Sequence, residues 1–164
     1  MTVLLFVLAV ATFLCSLVAG LLLTFAIVVM PGIGKLDDGG FIRAFQVIDR
    51  VIQNNQPLFL FVWVGSVLAV IAAAVLGTLK LSGTDRLLVI AATVVYLLGL
   101  QLPTATINVP MNNELQKLDL STMNETMQKR ARGNFEPRWN RRNVIRAACS
   151  ICASILLLLL LVRV

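Results

Sequence analysis

Four apolar runs, at residues 3–30, 58–79, 87–106 and 144–162, constrain this chain more than any other feature. A helix rises about 1.5 Å per residue and the hydrocarbon core of a bilayer is about 30 Å thick. About 20 apolar residues therefore suffice to cross it, and each run is close to that length or longer. A water-soluble domain of 164 residues could not hide 59% hydrophobic residues behind 13% charged ones, so lipid is the expected solvent. The pattern predicts an all-α integral membrane four-helix bundle, a single domain over residues 1–164, with membrane lipids as its immediate partners. The first run has no basic start and ends in no small-residue cleavage site, so it reads as a retained helix and not a secretion leader.

The net charge of +6 speaks of topology and not of nucleic acid. Of the 14 basic residues, Lys35, Arg43, Arg50, Lys117, Lys129, Arg130, Arg132, Arg138, Arg141, Arg142 and Arg146 lie in or beside the two longer connections. Only Lys80, Arg86 and Arg163 fall at the opposite end. The positive-inside rule then places both longer connections in the cytoplasm and both termini outside it, as in a protein of the bacterial inner (plasma) membrane. The chain has no histidine, and its cysteines, Cys15, Cys149 and Cys152, all lie within spans with a single CxxC. Neither a metal nor a haem site is expected, and the cysteines read as small residues at helix contacts. Thr12, Ser16, Gly20 and Thr24 recur every four residues along the first span, a ribbon expected to let a neighbouring helix approach closely.

Pro31 and the glycine-rich segment after it should end the first span. Residues 41–56 then carry helical periodicity: Phe41, Phe45, Val47, Ile48, Val51 and Ile52 fill one arc, and Arg43, Gln46, Arg50, Gln53 and Asn54 the other. This predicts an amphipathic helix at the membrane interface between spans one and two. Asp49 falls at the border of the apolar arc, where a carboxylate needs a partner. In the third span Gln101 and Pro103 predict a kink or an unwound turn, and Pro110 the first residue of a new helix capped by Asn108 or Val109. Residues 120–137 are polar; a short helix can begin near Ser121, and Gly133 and Pro137 should bound a loop before the fourth span.

Residues 138–146, RWNRRNVIR, divide on a helical projection. Trp139, Asn143 and Arg146 share about 60° of arc at about 100° per residue, whereas Arg138, Arg141 and Arg142 point elsewhere and suit lipid phosphates. Arg146 lies deeper. It must either snorkel to the interface or find a partner in the bundle, of which Asp49 is the best placed.

Four segments resemble the anthrone oxygenase-like family of small four-span membrane proteins. They are MPGI at 30–33, FQVIDRVIQNNQPLF at 45–59, INVPMNNEL at 107–115, and the Trp139, Asn143, Arg146 pattern. The resemblance implies oxidation of anthrones to anthraquinones without a recognised metal or flavin motif, hence no cofactor. It implies a polar pocket lined by Asn108, Asn112, Trp139, Asn143 and Arg146 for a lipophilic aromatic or quinone-like substrate; Gln46 is expected to join the binding residues, and Asp49 as base with Arg146 to carry the chemistry. Asp49 is a departure, since similar sequences are expected to hold asparagine there. The competing reading is a non-catalytic bundle that binds a lipid or serves as an oligomeric or accessory part of a membrane complex. A transporter fits poorly, for want of intramembrane charges and internal repeats.

Overall fold

The computed structural model describes residues 2–164 and is helical, with no strand among them. Its helices are α1 (Thr2–Ile33), α2 (Asp38–Gln53), α3 (Pro57–Lys80), α4 (Gly83–Gln116) and α5 (Glu125–Arg163). Of these, α1, α3, α4 and α5 are long and apolar enough to cross a membrane, which makes the chain an integral membrane protein. They form a ring in which α1 packs on α3 and α5, and α4 packs on the same two. Fully buried Leu8, Val18, Val70, Ala73, Val89, Tyr96 and Leu157 fill its centre, while Phe6, Phe13, Leu79 and Val162 are largely exposed on the outside, where lipid would cover them.

Lipid tails are as apolar as leucine, so close packing matters more here than apolar burial. The close approaches use glycines. A Cβ at Gly77 would fall 2.8 Å from Val89 Cγ1, and one at Gly99 would fall 2.7 Å from Cys149 Sγ. The Thr12–Ser16–Gly20–Thr24 ribbon is not such a contact: Ser16, Gly20 and Thr24 are exposed and nothing lies within 4 Å of a Cβ at Gly20. The reason is local satisfaction, since Thr12, Ser16 and Thr24 each donate to the carbonyl four residues back and can face lipid. Cys15 is buried in the core and Cys149 meets Gly99, but Cys152 faces outward.

Pro103 and Pro110 do not break α4, whereas α1 runs two residues past Pro31 and then ends in the glycine-rich segment, as expected. Pro31, Pro103 and Pro110 are each preceded by a π-helical turn, Phe25–Val29, Leu97–Gln101 and Thr104–Asn108. A proline lacks an N–H and its ring crowds the carbonyl four residues back. Here the amide just before each proline reaches back five residues instead: Met30 to Phe25, Leu102 to Leu97, and Val109 to Thr104. The helix widens and runs on, so α1 reaches Ile33, and Asn108 caps no new helix with its side chain.

The amphipathic segment starts and stops three residues earlier than its periodicity suggests. Asp37 accepts from Gly40 N at 2.6 Å and so caps α2, and Asn55 at φ 57° turns the chain after Gln53. Its inward face is Phe41, Ile42, Phe45 and Asp49, whereas Val47 and Val51 are exposed. The expected loop at Gly133–Pro137 is also absent, because α5 runs without a break from its Asn124 cap through both residues. Phe135 and Trp139 of this extension are buried against Phe41 and Phe45 of α2. Arg132 fixes it to the α1–α2 connection by donating to Gly34 O (2.7 Å), Leu36 O (2.9 Å) and Asp38, and it also pairs with Glu136. Between α4 and α5, Asp119 holds the Leu120–Thr122 turn, and hydrogen bonds from the Ser121 hydroxyl and amide keep its carboxyl below the usual range. Both longer connections therefore stand at the same end of the bundle, closed over by α2.

Candidate functional site

Beneath α2, all five helices line one cavity of about 180 Å³. Its walls are largely aromatic and aliphatic: Phe25 of α1, Phe45, Ile48 and Ile52 of α2, Phe59 and Trp63 of α3, and Trp139 of α5. Trp139 is the hub, with ring centroids 5.3 Å from Phe45 and 5.8 Å from Phe25. Polar groups enter at fixed points, from Asp49 and Gln53 on α2, Thr104, Asn108 and Asn112 on α4, and Asn143 and Arg146 on α5. The π turns at Phe25–Val29 and Thr104–Asn108 put Phe25, Thr104 and Asn108 on this wall, consistent with the tendency of such turns to occur at functional sites.

At one side, Asp49 is 5% exposed and receives three amide N–H groups. Asn112 Nδ2 donates to Oδ1 at 2.8 Å, and Gln53 and Gln116 donate to Oδ2 at 2.6 and 3.0 Å. Because Asn112 gives its N–H to Asp49, its Oδ1 is left to accept from Trp139 Nε1 at 2.9 Å. The carboxylate thus fixes which way Asn112 points, and Asn112 in turn fixes the indole.

Arg146, also in the cavity lining, is 4% exposed, so it does not snorkel. Its Nη1 donates to Thr104 Oγ1 at 3.0 Å and its Nη2 to Asn143 Oδ1 at 3.1 Å, while Asn143 Nδ2 donates to Leu22 O at 3.0 Å. The guanidinium carbon lies 5.9 Å from the Trp139 ring centroid. The expected Asp49–Arg146 ion pair is not formed. The ion pairs among the described residues are Arg132–Asp38, Arg132–Glu136 and Arg163–Asp85. Each member of the expected pair is held by neutral side chains of its own neighbourhood, and both line the cavity. Arg146 Nε and both amide atoms of Asn108 are buried and have no partner.

Of the residues singled out in the sequence, Asp49, Asn108, Asn112, Trp139, Asn143 and Arg146 line this one space. Gln46 does not. It ties α2 to the end of α4 by donating to Leu115 O at 2.8 Å and Leu118 O at 3.0 Å. Thr104 was not singled out, although it stands four residues before Asn108 and so shares its helix face. Gln116 carried no signal of its own, since only the crossing of α2 over α4 brings it to Asp49. The aromatic wall of Phe59 and Trp63 was hidden in an apolar run without contrast.

Fold and site together define a four-span membrane protein with an aromatic cavity that carries a buried cation and a set of fixed amides. Residues 50–156 match the family model of anthrone oxygenase, and the chain belongs to that family. The match takes in Asn108, Asn112, Trp139, Asn143 and Arg146 and begins one residue after Asp49. No curated protein and no solved structure matches the chain.

Proposed function

We propose that this protein oxidises a lipophilic aromatic of the anthrone type in the cavity beneath α2, taking its substrate from the membrane. The observation that carries the reading is the joining of aromatic walls to a buried guanidinium whose hydrogen-bond partners are all neutral. A ring methylene activated by a conjugated carbonyl loses a proton to give an enolate. Arg146 faces the oxygen on which that charge gathers, and fixed donors in a water-poor site stabilise such a charge strongly. Asp49, the carboxylate of the cavity, takes the proton when the substrate arrives neutral. Asn108, Asn112 and Asn143 orient the substrate oxygens, and Trp139 packs on the ring face.

The stoichiometry needs dioxygen as the sole oxidant. The enolate carbon bonds to one oxygen atom, the peroxide takes up a proton, and loss of the second C–H proton with cleavage of the O–O bond releases water. The balance is CH₂ + O₂ → C=O + H₂O. On the positive-inside pattern the cavity sits near the cytoplasmic face of the bacterial inner membrane.

The test is oxygen uptake with anthrone by protein in lipid nanodiscs, measured above the rate in empty nanodiscs. The wild type should consume oxygen in step with anthraquinone formed, and Arg146→Ala should lower kcat by about 100-fold or more. No substrate-dependent uptake by the wild type would refute the proposal.

A further inference from the structure

The cavity is built around a cation that has no counter-charge bonded to it before any substrate arrives. Arg146 is 4% exposed, and both of its partners, Thr104 Oγ1 and Asn143 Oδ1, are neutral. Its Nε is buried and bonded to nothing. Asn108, 2% exposed, leaves its Nδ2 and its Oδ1 without partners as well. Thr104 and Asn108 lie on the same π turn four residues apart, so the unpartnered amide stands one turn from the hydroxyl that Arg146 holds.

Removing a guanidinium from water costs several kcal/mol, and hydrogen bonds to neutral acceptors recover only part of that. Buried polar atoms without partners are uncommon, and here three of them, Arg146 Nε and both amide atoms of Asn108, belong to side chains that line one cavity. The nearby carboxylate does not supply the charge. Asp49 makes no ion pair with Arg146, and its oxygens are held by Gln53, Asn112 and Gln116.

We infer that Arg146 and Asn108 form a ready-made oxyanion subsite, and that the cavity takes its ligand as a lipophilic aromatic anion already ionised on binding. Arg146 Nε and Asn108 Nδ2 are the two free donors for the ligand oxygen. Asn108 Oδ1 accepts from a hydroxyl beside it, and the aromatic walls take the rings. This rests on the reading that the cavity holds a lipophilic aromatic, and it narrows that class to acids. For such a ligand, proton loss precedes binding and Asp49 need not act as a base.

The probes are 2-naphthoate and 2-naphthamide, which match in shape and differ in charge. Their binding is measured by calorimetry on protein in zwitterionic lipid nanodiscs. Naphthoate should bind the wild type at least about tenfold more tightly, equivalent to about 1.4 kcal/mol. Arg146→Gln should bring the two affinities together, and naphthamide that still binds shows that the cavity is intact. Asn108→Ala, which retains the cation, should lower the ratio several-fold, and Asp49→Asn should leave naphthoate the tighter ligand. Equal binding of both probes to the wild type, or a preference that survives Arg146→Gln, would overturn the inference and leave the aromatic cavity standing. Binding of neither probe would overturn both. A charge preference without oxygen uptake would sustain the inference and remove the oxidation reading.

Discussion

Replacing Asp49 by asparagine should disturb Trp139, a residue that Asp49 does not touch. The carboxylate accepts from Asn112, Gln53 and Gln116, and so commits Asn112 to offer its oxygen to the Trp139 indole N–H. A carboxamide at position 49 has one acceptor oxygen in place of two. If that oxygen serves Gln53 and Gln116, its NH₂ confronts Asn112 Nδ2. Asn112 can turn over to present its oxygen, but its own NH₂ then confronts the indole N–H. One buried donor is stranded in either arrangement, at a cost of about 1–3 kcal/mol. Asp49→Asn should therefore lower stability by about that amount although the side chains are nearly isosteric. Trp139→Phe removes the indole N–H, so the Asp49→Asn cost should shrink by about 1 kcal/mol or more in that background. The assay is a double-mutant cycle over reversible denaturation in mixed micelles, followed by circular dichroism. Additivity within about 0.5 kcal/mol would show that Asp49 does not set the orientation of the relay.

Two further outcomes test the packing that holds the cavity. Gly77→Ala should destabilise the protein by about 1–3 kcal/mol, because its Cβ would fall 2.8 Å from Val89 Cγ1, and the penalty should largely vanish in a Val89→Ala background in the same denaturation assay. Arg132→Lys keeps the charge but not the planar fork that reaches Gly34, Leu36, Asp38 and Glu136 together. It should cost about 1–2 kcal/mol and speed protease cleavage in the 34–37 connection, whereas an unchanged cleavage rate would mean that Arg132 does not hold that connection.

Hydropathy carried the spans because the bilayer imposes a length, and residues 58–79 differ from Pro57–Lys80 by one residue at each end. It could not see where helices continue beyond the hydrocarbon. Phe135 and Trp139 gain their burial from α2, a contact remote in sequence, and this together with the Arg132 contacts supports a helix through Gly133 and Pro137. Prolines in the spans were legible as perturbations but not in kind, because a π turn depends on the amide that precedes the proline. For the site, helical projection gave the Trp139–Asn143–Arg146 stripe, and amphipathic periodicity put Asp49 near the core. Projection gives directions on one helix and not distances between helices. Asp49 and Arg146 do share a cavity, but each is claimed by closer amide and hydroxyl groups, including Gln116 and Thr104.

The most direct measurement is the structure of the protein in nanodiscs with anthraquinone, the expected product, bound at saturation. The rings should lie against Trp139 and Phe45 beneath α2, with one quinone oxygen about 3 Å from Arg146 Nε. Anthraquinone found only on the lipid-facing surface of the bundle, with the cavity empty of it, would mean that the cavity is not the site of oxidation.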